Sequence, residues 1–400
     1  MSQSHPEQSH AEQNHAEQSH AEQNHAEKPE NFPPGYPRAA HVEPLSGEQL
    51  LHMHDLMVEG RVLEERLIRM QRGGEGYFWI GGPGEEAFNT SLGLLSKRGE
   101  GLDHDYLHLH YRSSGTLLAM GADPIDALRQ MRNTVTDPYS GGRNFVGHYS
   151  RRAWNVAPIT SPIEIQYAQA IGTAIAQKRA RPSQGGPGDG ITIVQGGDAG
   201  TAEGDFASCL VWAARPGFEL PMLIIVTNNG WGISTPGNEQ QGGEHIADRG
   251  RALGMKTMVI DGNEAESAYR GIEQAMHYVR TERKPLVLEA YVSRLYGHSS
   301  SSGSNYVDSE IDCLVELEKK LAARGLRNAE ECTAMRERFE KRLLEAGKMV
   351  AAEQKPESAA IWDHVFAEVN HVGKNARSVP HDNRVFRAPS CSFPTQKTKN

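Results

Sequence analysis

The sequence predicts an α/β fold: a mostly parallel sheet flanked by helices on both faces, preceded by a disordered N-terminal arm. Three observations carry this expectation. Between residues 190 and 291, short β-branched runs alternate with helix-length segments, the pattern of βαβ units with right-handed crossovers. Over 400 residues, 38% are apolar and 23% charged, enough for a large core. The first thirty residues instead repeat a polar pentad that cannot bury enough to offset its ordering entropy.

That pentad, Glu-Gln-Ser/Asn-His-Ala, places His5, His10, His15, His20 and His25 at a period matching neither helix nor strand. A solvated arm is the simpler reading of it, weak metal binding the sharper one. Pro29 to Pro37 reads as a stiff linker. These features divide the chain into an arm and linker (1–37), an α/β body with helical extensions at both ends (38–370), and a loose basic tail (371–400).

Within the body, Ser46 with Gln49 suits a capping box, and Leu50, Met53, Leu56, Met57, Leu63, Leu67 and Met70 follow at helical spacing. Gly73 and Gly74 end that helix. Further helices are expected over 84–95, over 123–132 with Pro124 in the first turn, and over 165–178. A Pro/Gly-rich loop spans 181–190. Strand Ile191–Val194 ends in Gly196-Gly197-Asp198-Ala199-Gly200. A helix from about Ala202 to Ala214 leads to strand Met222–Val226, which ends at Asn228-Asn229-Gly230-Trp231. Strand Thr257–Ile260, helix Glu264–Arg280 and strand Pro285–Tyr291 complete the pattern.

Composition excludes several function classes. The net charge is −9, from 42 basic and 51 acidic residues; the arm's six Glu and one Lys account for −5 of it. The near-neutral remainder gives no electrostatic reason to expect nucleic acid or an anionic membrane. No apolar run approaches the roughly 20 residues that span a bilayer. Cys209, Cys313, Cys332 and Cys391 form no CxxC pair, which disfavours disulfide scaffolds and cysteine zinc modules. The N-terminus lacks the character of a signal or transit peptide, so a cytoplasmic location is expected.

The chemistry concentrates at two strand ends. Ligands of open parallel sheets sit beyond the carboxyl ends of strands. Asp198 offers a carboxylate after one strand and Asn229 an amide oxygen after the next, 31 residues later. On neighbouring strands about 5 Å apart, both reach one hard cation such as Mg²⁺. The surrounding glycines permit close approach of a ligand to the backbone, and the following helix N-terminus suits a diphosphate. Alone, each feature is more often a plain turn; their combination across one βαβ unit is specific. His104, His108 and His110 offer a competing zinc cluster, without a carboxylate or cysteine at a familiar spacing.

Gly197-Asp198-Ala199 through Asn228-Asn229 resembles the thiamine diphosphate motif. Thr201-Ala202-Glu203-Gly204-Asp205-Phe206, Gly230-Trp231-Gly232-Ile233-Ser234-Thr235-Pro236 and Gly297-His298-Ser299 resemble the alpha subunit of 2-oxoacid dehydrogenases, the decarboxylating component. Gly84-Glu85-Glu86-Ala87, Tyr111-Arg112, Gly147-His148-Tyr149 and Thr160-Ser161-Pro162-Ile163 match in order, and the branched-chain branch fits best. The resemblance covers about 45–365. It implies that Asp198, Asn229 and the Trp231 carbonyl hold Mg²⁺. Tyr111, Arg112, Ser161, Ile163, Gly197, Ala199, Gly200 and His298 are then implied at the cofactor, Ser161 and Ile163 through main-chain groups. His298 and Arg294 match the family's active-site loop, where the histidine assists acyl transfer to lipoamide, and His110, before Tyr111-Arg112, falls near the substrate. Bulky Phe78 and Trp79 ahead of Gly84-Glu85-Glu86 suggest an apolar pocket, with Phe78, His110 and Tyr111 as its candidate wall.

The implied activity is decarboxylation of a 2-oxoacid with thiamine diphosphate, followed by acyl transfer to the lipoyl domain of the acyltransferase component. The body holds one diphosphate-type domain, so the glutamate that activates the cofactor is expected from a beta subunit, in a heterotetramer of two alpha and two beta chains. Three departures from the family stand out: Ala199 for glycine, Thr227 for arginine, and a serine-rich loop, Ser299–Val307, without the family's Asp and Tyr-Arg ending. Pyruvate or acetoin are alternative substrates, and a silent scaffold with a metal-binding arm is the reading outside enzymes. An NAD enzyme is disfavoured because no Gly-x-Gly-x-x-Gly opens a helix.

Overall fold

The computed structural model describes residues 43–179, 188–358 and 360; the expected arm and linker, most of the 181–190 loop and the basic tail lie outside the described residues. The first helix, α1 (Gly47–Arg72), forms as its sequence dictates: Ser46 accepts from the Gln49 N–H while the Gln49 side chain accepts from the Ser46 N–H. Then come α2 (Glu86–Leu95), β1 (Tyr106–His108), α3 (Ser114–Ala119) and α4 (Pro124–Arg132). Asp123 caps α4, and Asn133 closes it in the left-handed conformation at φ 53°. Helix α5 (Ile165–Arg179) precedes β2 (Thr192–Gly197), α6 (Gly204–Ala213) and β3 (Met222–Asn228). A two-stranded ribbon follows, β4 (Trp231–Gly232) with β5 (Thr235–Pro236), then α7 (Asp248–Arg251), β6 (Lys256–Asp261), α8 (Ala265–Glu282) and β7 (Leu286–Tyr291). Helices α9 (Cys313–Ala323) and α10 (Ala329–Ala351) close the unit.

Five strands pair in parallel in the order β1-β2-β3-β7-β6. Both faces are buried because the strand side chains alternate. Ile193, Leu223, Ile225 and Leu288 pack with α2 and α8, whereas Val194, Met222, Ile224 and Val226 pack against Tyr167 and Ala170 of α5 and Phe206 and Leu210 of α6. A separate apolar cluster joins α1 to α4, α9 and α10, with Trp79 fully buried in it. Beyond Pro356 the described residues make one turn, closed by the Ala360 N–H on the Glu357 carbonyl at 2.9 Å.

Two boundaries differ from expectation in ways that bear on the site. β2 runs three residues further, into Gly197, because β3 pairs with it as far as Thr227. The helix expected from Ala202 begins at Gly204, and a 3₁₀ turn over Ala199–Ala202 follows Asp198 instead. β1 is a three-residue edge strand, too short for periodicity to find, and of its residues only His108 belongs to the set of His104, His108 and His110.

Candidate active site at the tips of two adjacent strands

The register Gly197↔Thr227 brings Asp198 and Asn229 to the same end of neighbouring strands, and the Asp198 N–H bonds the Thr227 carbonyl at 3.2 Å. Asp198 is 3% exposed, and its Oδ2 has no hydrogen-bond partner. Burial pushes its carboxyl up to about 6. Asn229 Oδ1 accepts one bond, from the Trp231 N–H at 3.0 Å, which leaves a second acceptor site. An orphaned buried carboxylate oxygen beside an amide oxygen is a donor set of the hardness Mg²⁺ takes. These residues fit the cation.

Two arginines lie near enough for their charge to act on Asp198. Arg112, 3% exposed, donates to the Gly81 carbonyl and to His298 at both its carbonyl (3.1 Å) and Nδ1 (3.2 Å). Its nearest carboxylate, Glu85, stands 4.0 Å away, fully buried and pushed up to about 8 by burial. Arg294 lies over the Trp231 ring at 5.9 Å, with Nη1 buried and unpartnered. Burial, then the Arg112 charge, pushes Arg294 down to about 10. Two partly desolvated guanidinium groups without full counter-charge suit an anion with several oxygens, as a diphosphate has.

His298 is neutral near pH 7: burial, then Arg112 and Arg294, push it down to about 4. Because Arg112 donates to Nδ1, the ring proton sits on Nε2. Tyr111 stands between the two histidines, 3.7 Å from the His110 ring and 6.3 Å from that of His298. The His110 ring lies beside Gly197 at a distance that leaves room for a side chain there, and its Nδ1 is buried and unpartnered. Gly84 adopts φ 107°, and a Cβ there would overlap the Ser293 carbonyl. This close approach, with the Leu295 N–H on the Pro83 carbonyl at 3.0 Å, ties the 81–84 turn to the segment carrying Arg294 and His298.

Other expected residues lie differently. Ser161 accepts or donates to His148 Nε2 at 2.6 Å, and Ile163 is 61% exposed. Phe78 is half-buried in edge contact with Phe145, while its neighbour Trp79 is core rather than pocket wall. A cavity of about 300 Å³ lies beside His148 and Tyr139, and none of the strand-tip residues lines it. The glycines of the turn are not all free for a ligand: a Cβ on Gly196 or Gly200 would overlap the Glu164 carboxyl, whereas Gly197 is open. Glu164 was missed because nothing in its spacing marks it. It is buried, adopts φ 63°, and burial pushes its carboxyl up to about 8.

The competing zinc cluster does not form. His104 bonds the Glu100 carbonyl, His108 bonds Thr173 at 3.0 Å, and His110 faces the strand tips. Among the described residues one three-ligand group exists, His54, Glu318 and Cys332. There Arg327 donates to His54 Nδ1, so the ring keeps its proton on Nε2 toward Glu318, at 3.2 Å, and has no lone pair for a cation. The serine-rich loop is tied down without the family's Asp: the Ser300 N–H bonds the Trp79 carbonyl at 2.8 Å, and Arg72 holds the Ser304 carbonyl at 2.6 Å.

The dehydrogenase E1 component family matches residues 54–359. The chain is similar to the mitochondrial 2-oxoisovalerate dehydrogenase subunit alpha of Mus musculus, 28% identical over 81% of this chain and 72% of that one. The Bos taurus subunit is 29% identical over 81% and 70%, and subunit alpha 2 of Arabidopsis thaliana 28% over 80% and 67%. These relatives are mitochondrial by name, which overturns the expected cytoplasmic location; among the described residues no helix is long and apolar enough to cross a membrane. The strand-tip constellation and this match converge: the chain belongs to the dehydrogenase E1 component family.

Proposed function

We propose that this chain is the alpha subunit of a branched-chain 2-oxoacid dehydrogenase. With Mg²⁺ and thiamine diphosphate it decarboxylates a 2-oxoacid and passes the acyl group to the lipoyl domain of an acyltransferase component, paired with beta subunits as a heterotetramer of two alpha and two beta chains. Family membership supports the cofactor and the reaction class, and the relatives' names support the branched-chain substrate. The observation that carries the reading is the buried, unpartnered oxygen of Asp198 beside Asn229, beneath two guanidinium groups.

In this reading Asp198, Asn229 and the Trp231 carbonyl hold the cation. Arg112, Arg294 and His298 face the diphosphate, with the backbone of Gly197 and Ala199, and Ser161 and Ile163 contribute main-chain groups. When bound, thiamine diphosphate supplies the nucleophilic carbon and the electron sink that decarboxylation requires. The neutral His298 ring presents its Nε2–H as a fixed donor, oriented by Arg112. His110, Tyr111 and Phe78 wall the substrate side, with His110 kept neutral by burial. A beta subunit provides the glutamate that completes the site.

The test is calorimetry on the full-length chain co-expressed with its beta partner, titrating thiamine diphosphate with and without Mg²⁺, followed by assays on 2-oxoisovalerate and pyruvate. Uptake that depends on magnesium, with turnover of 2-oxoisovalerate, is expected. Preference for pyruvate reassigns the substrate, and the lack of magnesium-dependent uptake overturns the reading.

A further inference from the structure

We infer that Glu164 is a positioning residue, whose carboxyl braces the Gly196–Gly200 turn from behind and thereby sets the affinity of the strand tips for magnesium and thiamine diphosphate. This rests on the cofactor reading above. It begins with an unfilled sheet edge. β1 ends at His108, opposite Val194, so β2 runs on to Gly197 without a neighbour on that side. The N–H groups of Thr192 and Asp198 reach toward β3, to the carbonyls of Pro221 and Thr227. By strand alternation the Gly197 N–H points the other way, where no strand remains. A half-buried N–H there has limited access to water and calls for a partner.

Glu164 supplies it. Its Oε1 accepts from the Gly197 N–H at 3.1 Å. The side chain reaches this point from the residue before α5, in a left-handed conformation that a non-glycine residue adopts at a cost and holds only where its surroundings require it. Two further residues of the same helix start complete the brace. Gln166 Nε2 donates to the Gln195 carbonyl at 3.0 Å, and the Tyr167 hydroxyl donates to the Ile225 carbonyl at 2.6 Å. The carboxyl fills the notch left by the absent side chains of Gly196 and Gly200. These two glycines are therefore demanded by a carboxylate of the chain itself, and the Asp198 backbone is fixed between them.

The test uses the full-length chain co-expressed with its beta partner, with calorimetry of thiamine diphosphate at saturating Mg²⁺ and melting curves in parallel. Glu164→Gln keeps an acceptor for Gly197 and should bind within about 3-fold of the parent, whereas Glu164→Ala should bind at least about 10-fold more weakly. Gly200→Ala should weaken binding in the parent, yet add little to Glu164→Ala, since the overlap it creates is with that carboxyl. Parental protein that takes up no cofactor refutes the cofactor reading rather than this one. If the parent binds and Glu164→Ala binds equally well, or more tightly, the brace is refuted. So it is if Gly200→Ala is equally harmful in both backgrounds, or if Glu164→Gln weakens binding as much as Glu164→Ala.

Discussion

Two buried regions of this molecule treat charge in opposite ways. In the helical layer, Arg61 of α1 holds Glu86 through two bonds of 2.6 and 2.9 Å and Asp312 through two more of 2.8 and 3.0 Å. Glu86 Oε2 accepts further from the Gly84 N–H and Cys313 Sγ, and both oxygens of Glu64 are bonded, by Ser114 and Trp79. At the strand tips, Asp198, Glu85, Glu164, His110 and Arg294 each keep a buried polar atom without a partner. Burying an unpaired polar group costs on the order of 1–3 kcal/mol. The helical layer has orphans of its own, Arg66 Nε of α1 and Gln130 Oε1 of α4, but these are scattered, whereas orphans gathered at the strand tips mark the position of a ligand.

The sharpest way to break this contrast is Arg61→Met, which strands Glu86 and Asp312 in the core. It should lower stability by about 3–5 kcal/mol in urea titrations; a loss below 1 kcal/mol would mean the network is not the support described. Glu64 gives the next largest effect, through pH. Burial pushes its carboxyl up to about 7, so the folded state holds a proton that the unfolded chain has released. Stability from this group is full below about 4.5 and falls as pH rises through 7, by about 3 kcal/mol in total. Glu64→Gln should make the slope between pH 5 and 8 shallower by that amount, leaving the shares of Asp198, Glu85 and Glu164 in place, and an unchanged slope would assign it to those groups.

Arg294→Gln should do the opposite of Arg61→Met. The Arg294 Nη1 is unpartnered, while Asp198 and Glu310 offset part of its charge, so the cofactor-free variant should stay within about 1 kcal/mol of the parent while cofactor uptake weakens about 10-fold. Destabilisation without loss of uptake would place Arg294 in the structure rather than at the ligand. The smallest effect is Ser46→Ala, which removes an exposed helix cap and should cost about 1 kcal/mol at every pH tested.

Much of the fold was legible because it rests on local rules. The Ser46/Gln49 box, Pro124 in the first turn of α4 and the β-branched runs of β2, β3, β6 and β7 each announce themselves within a few residues. The Asp198 and Asn229 pairing was legible too, because a βαβ unit fixes which strand ends meet. Residues whose roles depend on distant neighbours were not. β1 exists because β2 offers it an edge. Trp79 reads as a pocket aromatic until Glu64 and Tyr296 enclose it. Glu164 is one glutamate among many until the shortness of β1 leaves the Gly197 N–H facing it.

The reach of Arg112 has a consequence of its own. One side chain clasps both the Gly81 carbonyl and His298, and it is the most deeply buried cation at this corner. Those bonds use three of its five N–H donors, which leaves Nε–H and one Nη1–H for an incoming anion. The same side chain can therefore pin the segment leading into the serine-rich loop and still offer two donors to a ligand, on a base held rigid before the ligand arrives.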